Sequence, residues 1–174
     1  AQKDAILEAK NSHNSVGGVA LINVKNAPIG LGEPLYFKLD SQIANAMMSI
    51  NAVKAVEIGD GILASKVKGY DNNDQIRKDG FKTNHSGGIL GGISNGDDIN
   101  VKVYFKATPS IFIEQETIDI HNDEVNCQLK GRHDPCVAVR GSVVAESMMA
   151  LVLADMVLLN MSSKMRNVKK VYSK

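Results

Sequence analysis

Cysteine is scarce in this chain: Cys127 and Cys136 are the only two among 174 residues, and no CxxC pairs them. That argues against a disulfide scaffold or a zinc site and suits a reducing cytoplasm. Charge of one sign is lacking too. The 20 Lys+Arg and 19 Asp+Glu leave a net charge of +1, so bulk electrostatics give no case for nucleic acid or a membrane surface. The histidines His13, His85, His121 and His133 show no HxxH or HExxH spacing, and no metal site is expected. Neither GxGxxG nor a P-loop occurs, so no dinucleotide fold follows, and serine hydrolysis has no support. No signal peptide opens the chain at Ala1. Tryptophan is absent, yet 44% hydrophobic residues suffice for one domain with a core, expected to span residues 1–174.

Glycine, by contrast, is concentrated. Residues 83–96 read TNHSGGILGGISNG and include Gly87, Gly88, Gly91, Gly92 and Gly96. Glycine at this density costs conformational entropy, so it serves a backbone shape. Bare N–H groups beside Thr83, Asn84, His85, Ser86, Ser94 and Asn95 suit a phosphorylated or planar polar ligand; a flexible loop is the plainer reading.

The rest of the chain reads as α+β. Residues 3–10 suggest a short helix, and GVALINVKN a largely buried strand. Asp40 is a candidate N-cap for a helix carrying Ile43, Ala44, Met47 and Met48. Asn51-Ala52 then makes a tight corner into a strand over Val53, Ala55, Val56 and Ile58. Residues 64–82 are polar and read as a surface excursion. INVKVYFKA alternates cleanly, with Ile99, Val101, Val103 and Phe105 on one face. Further strands are expected within 111–120 and 125–129. A helix is expected from Ser142 onward, apolar on nearly all sides. Its acids Glu146 and Asp155 and the lack of an aromatic belt argue against a membrane span. The expectation is a central core helix covered by sheets. The basic tail from Ser162 onward is expected to be solvated.

Four polar loops remain: Asn51-Ala52, residues 83–96, KATPS at 106–110, and GRHDPC at 131–136. Brought together, they make a pocket where Lys106 and Arg132 supply positive charge for a phosphate or carboxylate. As a plain turn, 131–136 would hold an Arg132–Asp134 pair.

These loops resemble chorismate synthase. The matching stretches are GLGEPLYFKLD (30–40), MMSINAVKAVEIGDG (47–61), TNHSGGILGGISNG (83–96), FKATPSI (105–111), GRHDPCVAVRG (131–141) and VAESMMALVLAD (144–155). The resemblance implies a β-α-β sandwich, with sheets packed on long central apolar helices. It implies a cytoplasmic, homotetrameric lyase that converts 5-enolpyruvylshikimate 3-phosphate to chorismate and phosphate by 1,4-anti-elimination, the last step of the shikimate pathway. Reduced FMN is required without net oxidation, and in some members NADPH reduces it. By the same resemblance, Asn51, Ala52, Gly91, Lys106, Ala107, Thr108, Pro109, Ser110 and Arg132 bind FMN. Asp134 is the proton relay beside the flavin, and His133 is a supporting residue. Ala107 stands where the family usually has Pro, and Asn14 where it often has Asp.

The family's chains are roughly twice as long. Their amino-terminal histidine motifs, which include the main acid, and several substrate-clamping arginines have no counterpart here. The chain is therefore expected to be a carboxy-terminal half, inactive alone. The alternatives are a non-catalytic flavin or phosphate module, or a structural fragment.

Overall fold

The computed structural model describes residues 1–173. A first helix, α1 (Gln2–Asn11), leads into β1 (Gly18–Val24). Next come α2 (Leu39–Met48), β2 (Val53–Ile58), a 3-10 turn (Gly61–Lys66) and α3 (Gly69–Asn72). Two small hairpins follow, β3 (Ile76–Arg77) with β4 (Gly80–Phe81) and β5 (Ile89–Leu90) with β6 (Ile93–Ser94). The chain continues through β7 (Ile99–Phe105), β8 (Gln115–Ile118) and β9 (Glu124–Cys127), then α4 (Ala138–Ser162) and α5 (Met165–Tyr172).

The fold is α+β. Its main sheet is antiparallel, in the order β1-β7-β2. The alternation read in β7 is realised: Ile99, Val101, Val103 and Phe105 are buried, and the residues between them are half-buried. β1 pairs with β7 from Gly18↔Phe105 to Val24↔Ile99, and β2 pairs with β7 from Val53↔Phe105 to Ile58↔Val101. Together, α2 and α4 cover the apolar face of the sheet. Leu39, Ile43 and Met47 of α2 and Ala145, Met149 and Met156 of α4 complete the core. Burying each large side chain there contributes about 1.5–3 kcal/mol. Gly141 lets α4 approach the sheet closely, since a Cβ there would fall 2.4 Å from the Phe105 ring.

On the other sheet face, Lys102 Nζ donates to Glu57 Oε2 at 3.1 Å. Burial pushes the Glu57 carboxyl up, but hydrogen bonds from Lys102 and Tyr104 outweigh it and hold it below the ordinary value.

Several expectations need correction. β1 is an edge strand: Ala20 is buried, but Leu21 on the other face is 76% exposed. Lys38, not Asp40, is the N-cap of α2, with no side-chain capping bond; Asp40 lies in the first turn, where its charge favours the helix N-terminus. α4 begins at Ala138, four residues before Ser142, without a side-chain cap at Val137. Its packing on β1 and on Phe105 holds the extra turn. The excursion at 64–82 carries a short helix and a hairpin, and the tail carries the exposed helix α5. β8 and β9 form a separate hairpin with exposed side chains, not part of the main sheet.

The largest departure is α4. Ala138, Gly141, Ala145, Met149 and Met156 define one buried stripe. Val139, Val143, Leu151 and Leu158 define the opposite stripe, and it is open, with Leu151 66% and Leu158 64% exposed. The helix is apolar on all sides, but the described residues cover only one of them.

Candidate functional site

The corner after α2 is built from two short backbone bonds. The Ile50 amide donates to the Met47 carbonyl and the Val53 amide to the Ile50 carbonyl, both at 3.1 Å. Between them Ala52 takes φ +71°, a left-handed conformation unusual for a residue with a Cβ. Asn51 is exposed at the tip. The Ala52 carbonyl accepts the Lys106 amide at 2.9 Å, where β7 ends. One bond thus joins the Asn51-Ala52 corner to the 106–110 loop.

That loop leaves donors free. The amides of Ala107, Thr108 and Ser110 have no hydrogen-bond partner among the described residues. Neither Lys106 nor Arg132 has an ion-pair partner among them. The carbonyl side of the loop is tied down instead, with Thr108 accepting the Ser15 hydroxyl at 2.6 Å.

The same segment reaches the second loop, where the Val16 amide donates to the Pro135 carbonyl at 2.8 Å. Residues 15–17 therefore lie between the two predicted loops and hold both. A Cβ on Gly17 would fall 2.7 Å from the Phe105 carbonyl oxygen. Ser15, Val16 and Gly17 are supporting residues in the segment between α1 and β1, which no sequence motif marks.

Ser110, Arg132 and Asp134 line one cavity of about 340 Å³, together with Lys10 and His13 at the end of α1. Phe112 sits edge-on to both His13 and His133, with ring centroids 6.1 and 5.2 Å away. His133 Nε2 is buried there without a partner. Asp134 does not pair with Arg132, as a plain turn would have it. Its Oδ2 lies 3.2 Å from Nη1 of Arg140, in the first turn of α4.

Gly91 lies elsewhere. It forms the β5–β6 turn with Gly92, whose carbonyl accepts the Leu39 amide at 2.8 Å, at the start of α2. The Ala52–Lys106 corner is at the other end of α2, roughly 15 Å away along a ten-residue helix. A ligand touching both must span that length or be shared between chains. A Cβ on Gly91 would meet open space.

The other glycines of 83–96 serve packing. Gly87 lies against Gly59, where a Cβ would fall 2.4 Å from the Gly59 amide nitrogen. The start of the stretch is pinned by Asp74, which accepts the Thr83 hydroxyl at 2.7 Å and the His85 and Ser86 amides at 2.8 and 2.9 Å. Burial pushes the Asp74 carboxyl up, but these donors outweigh it and hold it below the usual aspartate value. Asp60 Oδ2 lies 2.6 Å from His85 Nδ1. Nothing in the polar 64–82 run distinguished Asp74 beforehand. Residues 92–96 spell GxSxG, yet Ser94 is 1% exposed. Its hydroxyl donates to the Pro28 carbonyl and accepts the Leu31 amide, so it is structural.

The site is thus a cation-bearing loop cluster at one end of an α+β sheet, with free backbone amides. It suits an anionic, phosphate-bearing ligand. Comparisons with known proteins name the family. A family model described as chorismate synthase matches residues 1–158. Chorismate synthase of Aliarcobacter butzleri is 91% identical over 173 residues, covering 99% of this chain and 48% of that protein. The Sulfurimonas denitrificans enzyme of the same name is 66% identical over 174 residues, covering 100% of this chain and 49% of that protein. A solved structure described as a crystal structure of chorismate synthase aligns with TM-score 0.74 and 34% identity, over 97% of this chain and 45% of that one. The chain belongs to the chorismate synthase family, and it spans about half the length of the curated relatives it matches.

Proposed function

We propose that residues 1–174 work as one domain, the carboxy-terminal part of a longer cytoplasmic chorismate synthase. Its substrate is 5-enolpyruvylshikimate 3-phosphate, from which phosphate leaves by 1,4-anti-elimination. The enzyme is a homotetramer, and NADPH is one source of electrons for its cofactor. The observation that carries this reading is the join at Ala52 and Lys106, which sets the Asn51-Ala52 corner beside a loop of free amides and an unpaired lysine.

The residues present fit FMN. The Ala107, Thr108 and Ser110 amides and the Lys106 ammonium are donors without partners, as a phosphate or flavin carbonyl requires. Asn51 and the Ala52 backbone lie at the same corner, and Pro109 fixes the path of the loop. Arg132, in the lining of the cavity, supplies positive charge to a bound anion. Gly91 meets the cofactor only if it extends along α2 or is shared with another copy. Reduced FMN, when bound, supplies transient electron density that eases the departure of phosphate. Asp134 receives or relays the proton lost from the substrate ring, and His133 stands beside it in the lining of the same cavity.

The open stripe of α4 supports the view that this half works only with more protein. A layered sandwich needs a second layer there, and none of the described residues supplies one. The test is phosphate release from the substrate under reducing anaerobic conditions. The chain alone is expected to give none, and the chain joined to the remaining half of the Aliarcobacter butzleri relative to give turnover. Turnover by the chain alone contradicts the reading.

A further inference from the structure

The β8–β9 hairpin stands alone in this fold. Every residue of Gln115–Ile118 and of Glu124–Cys127 is exposed, and the two strands make no substantial contact with any element but each other. An isolated two-stranded hairpin is marginal in water, so this arm is expected to be held against another surface. Its side chains define what that surface must offer. Residues 111–129 carry Glu114, Glu116, Asp119, Asp123 and Glu124 and no lysine or arginine. The register pairs Glu116 with Asn126 and Ile118 with Glu124, so both glutamates and Ile118 share one face. None of these acids has an ion-pair partner among the described residues.

α5 offers the opposite charge. Met165, Val168, Val171 and Tyr172 fall on one side of this helix, and Arg166, Lys169 and Lys170 fall on the other. Tyr172 is 81% exposed, and no acid follows Asp155 in the sequence. The three bases have no ion-pair partner among the described residues either.

The two surfaces do not meet within one chain. The hairpin returns to the fold through residues 131–136, just before α4 begins at Ala138, whereas α5 follows the other end of α4. The 25 residues of α4 separate those ends by about 37 Å. The eight residues of α5 span only about 12 Å. No ion pair or backbone hydrogen bond joins 111–129 to 164–173 among the described residues.

We propose that the hairpin docks on α5 of a second copy of this chain, with Glu116 and Glu124 against Arg166, Lys169 and Lys170. A two-fold axis that sets the α4 helices antiparallel brings the hairpin end of each copy to the α5 end of the other, so the contact forms twice. This rests on the reading of the enzyme as an oligomer of this chain. Single exposed ion pairs contribute little, but several opposed charges select the partner and fix its orientation.

The test uses a full-length chimera, with this chain in place of the matching half of the Aliarcobacter butzleri relative, and reads the dissociation constant of its assembly by sedimentation at low ionic strength. Glu116→Lys with Glu124→Lys reverses the hairpin, and Lys169→Glu with Lys170→Glu reverses α5. All four positions are exposed, so both variants are expected to keep the fold, and circular dichroism checks that they do. Each variant alone is expected to assemble about tenfold or more weakly than the parent. An equimolar mixture of the two is expected to regain most of the parent affinity, because every contact in a mixed pair then joins opposite charges. A hairpin held by its own chain cannot be rescued by mixing, so weakened assembly without rescue overturns the proposal. Assembly unchanged in both variants overturns this contact and leaves the oligomer reading standing. A parent chimera that stays monomeric overturns both.

Discussion

The backbone amide of Lys106 donates to the carbonyl of Ala52 at 2.9 Å, joining the end of β7 to the corner between α2 and β2. The two residues are 54 positions apart in sequence, and the family resemblance implies that both bind the cofactor. The corner depends on Ala52 holding φ +71°. A β-branched side chain tolerates that region poorly. Ala52→Val is expected to cost about 1–3 kcal/mol in urea unfolding and to weaken flavin binding in the full-length protein. Unchanged unfolding would show that the corner is not strained.

The two glycine pairs should separate packing from ligand approach. Gly87→Ala places a Cβ 2.4 Å from the Gly59 amide nitrogen, backbone that cannot yield. Loss of several kcal/mol is expected, at the upper end of single substitutions, with a melting temperature to match. Gly91→Ala meets open space and bears only the cost of its left-handed φ, about 1–2 kcal/mol. Equal losses at the two positions would contradict this division.

Asp74 ties the start of the glycine stretch with three donors. Its folded carboxyl titrates below the ordinary value of 3.8. The stability it contributes is fully present above that value and is lost as pH falls through the folded one. Asp74→Asn is expected to cost about 1–3 kcal/mol at neutral pH, with the gap from the parent closing as the solution is acidified below 3.8. A gap that persists undiminished in acid would assign the effect to packing instead of charge.

The open stripe of α4 predicts association. Val139, Val143, Leu151 and Leu158 form an apolar patch of the kind that marks an interface. The chain alone is expected to self-associate and bind a hydrophobic dye, and Leu151→Glu is expected to reduce both. In the full-length protein the same substitution buries an unpaired charge and should cost several kcal/mol. A monomeric chain that leaves the dye dark would mean the stripe is covered some other way.

These results show what the sequence made legible and what it hid. β7 was readable because one face of a half-buried strand obeys a strict period of two, and the burial of Ile99, Val101, Val103 and Phe105 follows it. α4 was readable as a helix, but its surroundings were not. Apolar residues on all sides say that every side needs cover, not which chain supplies it. The start at Ala138 was hidden because no capping residue marks Val137. The Asn51-Ala52 corner and Lys106 stand out as polar loops in the sequence, but only the resemblance assigns them to one cofactor, since no local pattern pairs residues so far apart. Asp74 and Arg140 were missed for a related reason. One is an acid in a polar run and the other a base after a turn, and only the fold reveals what each one holds.

The most direct measurement is an anaerobic titration with reduced FMN of the full-length chimera carrying this chain, followed by flavin fluorescence, compared with Lys106→Ala and Arg132→Ala forms. Saturable binding that weakens about tenfold or more in each variant, as expected for loss of a charge-assisted contact, would establish these loops as the cofactor cradle. Affinity unchanged by both substitutions would contradict the account, and the flavin would have to be held elsewhere.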